Sequence, residues 1–426
     1  MAPKLGRFRF IPFSKHEIVR MLARDGRFGA SDQAKFEAMC RVLESTFHFE
    51  FHAQLEALKD AYRPFNPDER GARARCESPE ALASSERELV ERLTQLLDDA
   101  NYEPVSSADI EQALAQQSLF RISVDIDFDA FASQLLFWRG ETIGRATVAR
   151  YRFWKKEIDV PTYERVVLFV RFKDAEHFQT RKRSELQFEP SSVVLKLFKN
   201  IPKADLEMIF PNTRVRMSTR DKLWIGVPGV AGILWMLFKT GTALVAAFSI
   251  IWLLAKGAVA PGASRYPAPE EMAAIVAALV ALGALAAYVW RQWSAYTNRK
   301  ILFMKTLADS LYFKNLDNNA GVMFHVVDAA EEEECKEAFL GYYFLAHAPA
   351  GLTQQALDEQ VERWFSEVHA TELDFEVDDA LDKLRALDLV VVEGTGESAV
   401  YRVVGLDEAC RRLDVRWDNL FRYNVE

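Results

Sequence analysis

Leu234-Trp235-Met236-Leu237-Phe238-Lys239-Thr240-Gly241-Thr242-Ala243-Leu244-Val245-Ala246-Ala247-Phe248-Ser249-Ile250-Ile251-Trp252-Leu253-Leu254 is the first of two apolar runs on which the reading of this chain turns. The second is Ala273–Trp290, which is rich in alanine and leucine and has no charged residue. At a rise of ~1.5 Å per residue, each run is long enough to cross a hydrocarbon core of ~30 Å. The expectation is therefore an α+β membrane protein. Its parts are an N-terminal helical region (1–120), a small basic α+β domain (121–222), a two-helix transmembrane hairpin (223–291), a juxtamembrane helix and turn (292–320), and an acidic winged-helix-like domain with a terminal helix (321–426). Leu223–Gly232 leads into the first span but is broken by Gly226, Pro228 and Gly229. Interfacial, re-entrant and in-span placements all remain open for it.

The flanks of the hairpin give an expected orientation. Arg214, Arg216, Arg220 and Lys222 precede it, and Arg291, Arg299, Lys300 and Lys305 follow it. The intervening loop has only Lys256 and Arg265, offset by Glu270 and Glu271. An excess of basic residues on both outer flanks predicts an integral membrane protein with both termini cytoplasmic. In a bacterium this means the inner membrane; in a eukaryote it means a mitochondrial membrane with the termini in the matrix. Met1–Phe13 has no apolar stretch of signal-peptide length, so a cleaved leader is not expected.

Of the 426 residues, 27 % are charged, too many for a chain that lies in a membrane throughout. The four cysteines, Cys40, Cys76, Cys335 and Cys410, are scattered and form no C-x-x-C pair, which fits a reducing compartment. Charge is unevenly spread. Residues 321–426 carry 9 Lys and Arg against 24 Asp and Glu, whereas residues 139–222 carry 19 against 11.

Periodicity outlines the elements. Phe36, Met39, Cys40, Leu43, Phe47, Phe51, Leu55 and Leu58 predict a long helix over Ser31–Tyr62. Further helices are predicted near Leu89–Leu97, Ser107–Gln116, Asp129–Trp138, Ala204–Phe210 and Asn298–Phe313. Ile122–Phe128, Thr142–Glu157, Tyr163–Phe172 and Val193–Phe198 read as strands, with a hairpin turn across Asp159–Pro161. Asn315–Gly321 reads as a turn. Asp328 is expected to cap a solvated helix that starts at Glu331–Glu334, where four acids would complement the helix dipole. Helices over Thr353–Phe365 and Val377–Leu387, then Leu389–Val392 and Ala399–Val404 around Gly394-Thr395-Gly396, make a winged-helix pattern. Asp407–Phe421 closes the chain as a helix.

Several blocks resemble a known family: Phe10-Ile11-Pro12-Phe13, Phe47-His48-Phe49-Glu50 with Lys59-Asp60-Ala61-Tyr62, and Arg139-Gly140-Glu141-Thr142. Lys196–Lys199, Ile201–Glu207, Ile225–Pro228 and Glu331–Lys336 belong to the same set. Together they resemble the transmembrane protein 143-like family, also known as domain of unknown function 3754. That resemblance implies an integral membrane protein of unassigned activity, mitochondrial in animals and present in bacteria. It brings no catalytic residues with it.

Each candidate site has a plain alternative. Lys239 is the one ionisable residue within the two spans. It is placed either to snorkel to the interface or to line the inner mouth of a pore. His48 and His52, one helical turn apart, are weak candidates for metal ligands with no third partner in sight, so no metal or other cofactor is expected. Arg181, Lys182 and Arg183, with Arg214, Arg216, Arg220 and Lys222, suit anionic lipid. Glu372, Glu376, Asp379 and Asp382 make the would-be recognition helix of the winged helix acidic. Such a helix repels a phosphate backbone, so nucleic acid is excluded as a partner and a protein is favoured. Small residues at Ala273, Ala277 and Ala281 suit close helix contacts and a homo-oligomer.

No nucleotide-binding, hydrolase or metalloprotease motif occurs, and no catalytic residue is assigned. The leading expectation is an oligomeric, membrane-anchored interaction or regulatory protein. The alternatives are a subunit of a multi-chain channel or transporter and, below it, a lipid-active enzyme.

Overall fold

The computed structural model describes residues 7–66, 78–105, 123–151, 154–178, 188–216, 238, 248, 252 and 269–421. These divide into two compact units: residues 1–116, 126–212 and 313–426 form the first, and residues 117–125 and 213–312 the second.

In the first unit, α1 (Lys15–Arg24) and α2 (Ala30–Tyr62) are followed by α3 (Pro79–Asp99). Ser14 and Glu17 close a complete capping box at the start of α1. Along α2, every residue of the predicted apolar stripe from Phe36 to Leu58 is buried. A five-stranded antiparallel sheet follows, built from β1 (Glu103–Pro104), β3 (Phe131–Tyr151), β4 (Trp154–Phe172), β5 (Val193–Pro202) and β7 (Asn315–Asn318) in the order β1-β3-β4-β5-β7. Period-2 alternation places Val167 and Phe169 of β4, and Val193, Leu195 and Leu197 of β5, in one core with the helices.

The chain continues as α5 (Ala320–Ala346), β8 (Leu352–Thr353), α6 (Gln354–His369), α7 (Val377–Ala386), β9 (Val390–Glu393), β10 (Val400–Val403) and α8 (Leu406–Asp418). The strand order β8-β10-β9 is the connectivity of a winged helix. Its first helix, α5, is buried along most of its length and also packs on α1, α2 and α3. The N-terminal helices and the acidic C-terminal segment therefore share a single core.

The second unit holds a two-stranded sheet, β2 (Ser123–Asp125) with β6 (Arg214–Arg216), and most of α4 (Pro269–Lys314).

The expected α+β membrane architecture is corrected here. Among the described residues no helix is long and apolar enough to cross a membrane, and the two-helix transmembrane hairpin is not supported. The chain is a mixed α/β protein. Apart from Phe238, Phe248 and Trp252, the first expected span lies outside the described residues. The second is not a separate element but the beginning of the 46-residue helix α4, which runs on through Arg291, Arg299, Lys300 and Lys305. Its alanines are strong helix formers, which favours an unbroken helix through this run and into the charged stretch beyond it. The orientation drawn from the flanking charges rested on that hairpin.

Four smaller readings also change. Asp129–Trp138 is a short 3-10 turn running into β3 rather than a helix. Asp159–Pro161 lies inside β4, where Pro161 faces Ile143, so it is no turn. Asn315–Asn318 is a strand paired with β5. Finally, α5 begins at Ala320, well before Asp328. The predicted helix Ser107–Gln116 lies outside the described residues.

Candidate functional site: a buried charge network

Because α5 is buried nearly all round, its run Glu331-Glu332-Glu333-Glu334-Cys335-Lys336-Glu337 enters the interior, where unpaired charge is costly. Each acidic or basic side chain there has partners. Glu333, with no exposed surface, accepts the Ile11 N–H at 3.1 Å and the Lys336 ammonium at 2.7 Å, and lies 3.4 Å from Arg139. Lys336 in turn donates to the Ile11 carbonyl at 2.8 Å. The pair, three residues apart on one helix face, thus satisfies both backbone groups of Ile11, as a neighbouring strand would.

The same segment is held further along. The Phe8 N–H donates to the Glu372 carbonyl at 3.1 Å and the Asp374 N–H to the Phe8 carbonyl at 2.8 Å, a parallel bridge to Leu373. Arg7 pairs with Glu362 at 3.2 Å, and Arg9 with Glu376 and Asp98. Phe8, Phe10 and Ile11 are buried. Arg139 spreads its guanidinium over Phe10, 4.5 Å from the ring centre, and donates to the Ala100 carbonyl at 3.0 Å. Its neighbour Gly140 has φ +72°, and a Cβ there would lie 3.0 Å from both Phe10 and Glu164, so a glycine is needed where β3 passes this segment.

At the end of the segment, Glu332 accepts the Lys15 N–H at 3.1 Å. The Lys15 ammonium sits 2.9 Å from Glu44 and 2.9 Å from Glu331, whose other oxygen is 2.9 Å from His48 Nδ1. Burial works against the Lys15 charge, but these carboxylates hold its pKa above the ordinary lysine value. Lys15 also lies where two clefts meet: one of about 640 Å³ between α1 and α2, and one of about 740 Å³ bordered by His48, His52, Asp328 and Trp417.

Beyond Lys336, Glu337 accepts from Asn101 Nδ2 at 3.0 Å and pairs with Lys383, which is 3.7 Å from Glu334. One ammonium here serves more than one carboxylate. Burial pushes Glu334 and Glu337 up to about 7 against the pull of Lys383, with Asp99 and Asp379 adding to the rise of Glu334. Asp99 rises to about 6 for the same first reason.

The acidic face expected to receive a partner is thus partly occupied. Glu376 is taken by Arg9, and the Glu372 backbone by Phe8; the Glu372 side chain accepts from Ser366 at 3.0 Å. Asp379 adds its field to the Lys383 cluster, whereas Asp382 faces outward and pairs with Arg385 at 3.3 Å. His48 is tied to Glu331 and shares its cleft with His52; among the described residues no group of three or more His, Cys, Asp or Glu side chains is arranged to hold a metal. Arg214 and Arg216 lie in β6, whereas Lys239, Arg181, Lys182, Arg183, Arg220 and Lys222 lie outside the described residues.

The expected solvated helix start at Glu331–Glu334 is the densest part of this buried network. Sequence reasoning missed it, although a signal was present. Val322–Ala330 before the run is apolar but for His325 and Asp328, and Ala338–Leu345 after it is apolar throughout, so no helix boundary falls there. Four consecutive acids must also point to every side of a helix.

A family profile described as a protein of unknown function (DUF3754) matches residues 163–321, so a domain of that uncharacterised family is present. The match runs from within β4 to the second residue of α5 and ends before the acidic run. No solved structure matches the chain.

Proposed function

We propose that the chain is a regulatory interaction protein whose acidic C-terminal module docks an extended basic-aromatic segment. In this state its own Arg7–Lys15 takes that place. The observation that supports the reading is the clasp on Ile11: a buried Glu333–Lys336 pair that serves the backbone of a separate segment rather than its own helix. Flanking ion pairs from Arg7 and Arg9 and a strand-like bridge at Phe8 repeat how sheet edges and acidic surfaces receive peptides. A nucleic acid is a poor occupant, since the same surface would repel its phosphates.

The finer kinship, with the transmembrane protein 143-like family, belongs to this proposal too. What supports it is that Phe10–Phe13, His48, Arg139–Thr142 and Glu331–Lys336, all blocks of that resemblance, meet around the clasp.

The test uses the full chain and a fluorescein-labelled peptide with the sequence of Arg7–Lys15. Wild-type protein, with the place filled, should bind it weakly. An Arg7→Glu/Phe8→Ala/Arg9→Glu variant, whose own segment is loosened, should bind it at least tenfold more tightly. Equal binding by the two, or none by the variant, would remove the docking reading.

A further inference from the structure

The cleft of about 640 Å³ between α1 and α2 is not needed for the docking described above, and its lining has an unusual balance. Its floor is apolar: Val19 and Ala23, one helical turn apart on α1, face Cys40 of α2 and Phe339 of α5. Around it stand Arg20 and Arg24 on α1 and Arg41 on α2. Of the acids in the wall, Glu44 is engaged by Lys15 at 2.9 Å and Glu37 accepts from Gln33 at 3.1 Å. Among the described residues none of the three arginines is in an ion pair; Arg20 donates only to its own helix, to the His16 carbonyl at 3.2 Å. Burial raises the pKa of Cys40 well above the ordinary thiol value, so the floor is neutral near pH 7.

Two uncommitted guanidinium groups, Arg24 and Arg41, with Arg20 beside them over a neutral apolar floor, are an arrangement with a ligand chemistry. The volume lies within the ~300–1,000 Å³ of small-molecule sites. Guanidinium groups bind carboxylate and phosphate in a forked geometry, and an apolar chain or ring gains by leaving water for the floor. We propose that this cleft binds a small organic monoanion with an apolar body, its head held by Arg24 and Arg41 and its body laid along Val19, Ala23 and Phe339. The cleft shares Lys15 with the network that clasps the N-terminal segment, so an occupant would lie directly beside α1, the element that follows that segment.

Calorimetric titration of the full-length protein with dodecanoate, dodecan-1-ol and inorganic phosphate separates the two halves of this chemistry. Dodecanoate should bind at one site per chain, at least tenfold more tightly than either the alcohol or phosphate. Replacing Arg24 and Arg41 by glutamine should weaken it by about tenfold or more per arginine. Both positions are exposed, so thermal unfolding should not change. A photoreactive dodecanoate should label peptides from Lys15–Arg24 and from Gln33–Glu44. The proposal fails if dodecan-1-ol or phosphate binds as well as dodecanoate, if the double variant binds dodecanoate unchanged, or if labelling falls only outside α1 and α2.

Discussion

Replacing Lys336 by methionine tests the clasp directly. The lysine side chain is 2 % exposed and that of its partner Glu333 is 0 %, so neither charge can turn to water when the other is removed. Breaking such a buried pair from one side costs about 3–5 kcal/mol. Arg139, 3.4 Å from Glu333, offsets part of this, while loss of the donor to the Ile11 carbonyl adds to it. Net, the cost should be about 3–4 kcal/mol, a large fraction of the ~5–15 kcal/mol that holds a typical domain folded. The Glu333→Leu/Lys336→Met double variant leaves neither member of the pair stranded, but both backbone groups of Ile11 lose their partners. Its cost should fall short of the sum of the two single changes by about 2 kcal/mol or more. Urea unfolding followed by tryptophan fluorescence measures all three, and hydrogen exchange at the Ile11 amide shows whether the segment opens first. A cost below ~1 kcal/mol for Lys336→Met, or additivity of the two changes, would refute the view that the pair acts as a clasp.

Three further outcomes are expected. The Glu334, Glu337 and Asp99 carboxylates have folded-state pKa values raised to about 7, about 7 and about 6, so the native state holds more protons than the unfolded chain between about pH 4.5 and 7. Their stabilising contribution is complete below the unfolded values and is lost as pH rises through the folded ones; urea midpoints should fall from about pH 5 to about pH 7.5, and Glu334→Gln should flatten that slope. Ser14→Ala removes one half of the α1 capping box and should cost about 1 kcal/mol, with faster amide exchange confined to the first turn of α1. Arg139→Lys keeps the charge but loses the flat guanidinium over Phe10 and the geometry of the Ala100 contact; it should destabilise by about 1–2 kcal/mol, and a value near zero would take Arg139 out of the network.

Several blocks of the family resemblance lie together in the structure although the residues alone gave no reason to connect them. His48, Arg139 and Glu331 lie far apart in the chain, and no spacing rule connects them. They come together because α2 packs on α5, and Arg139 of β3 reaches Glu333 of α5 at 3.4 Å, two residues from Glu331. The acidity of the segment expected to serve as the recognition helix was legible from its composition. That its Glu376 is answered by Arg9 was not, since a basic residue hundreds of positions away in the chain says nothing of where it lands.

Periodicity was enough for elements whose one buried face repeats on a regular pitch: the stripe of α2, the capped helix α6 behind Thr353, and the paired strands around Gly394. Those features depend on neighbours a few residues away. It failed for the Ala330–Leu345 stretch of α5, which is enclosed nearly all round and carries its charges inward, because a buried helix has no polar face to mark its orientation. It failed again for the alanine-rich start of α4, where composition records helix propensity but not what lies alongside. Tertiary packing decided the first, together with the fate of every charge in Glu331–Glu337. Whether a carboxylate is solvated or buried depends on contacts hundreds of residues distant, such as Ile11 with Glu333.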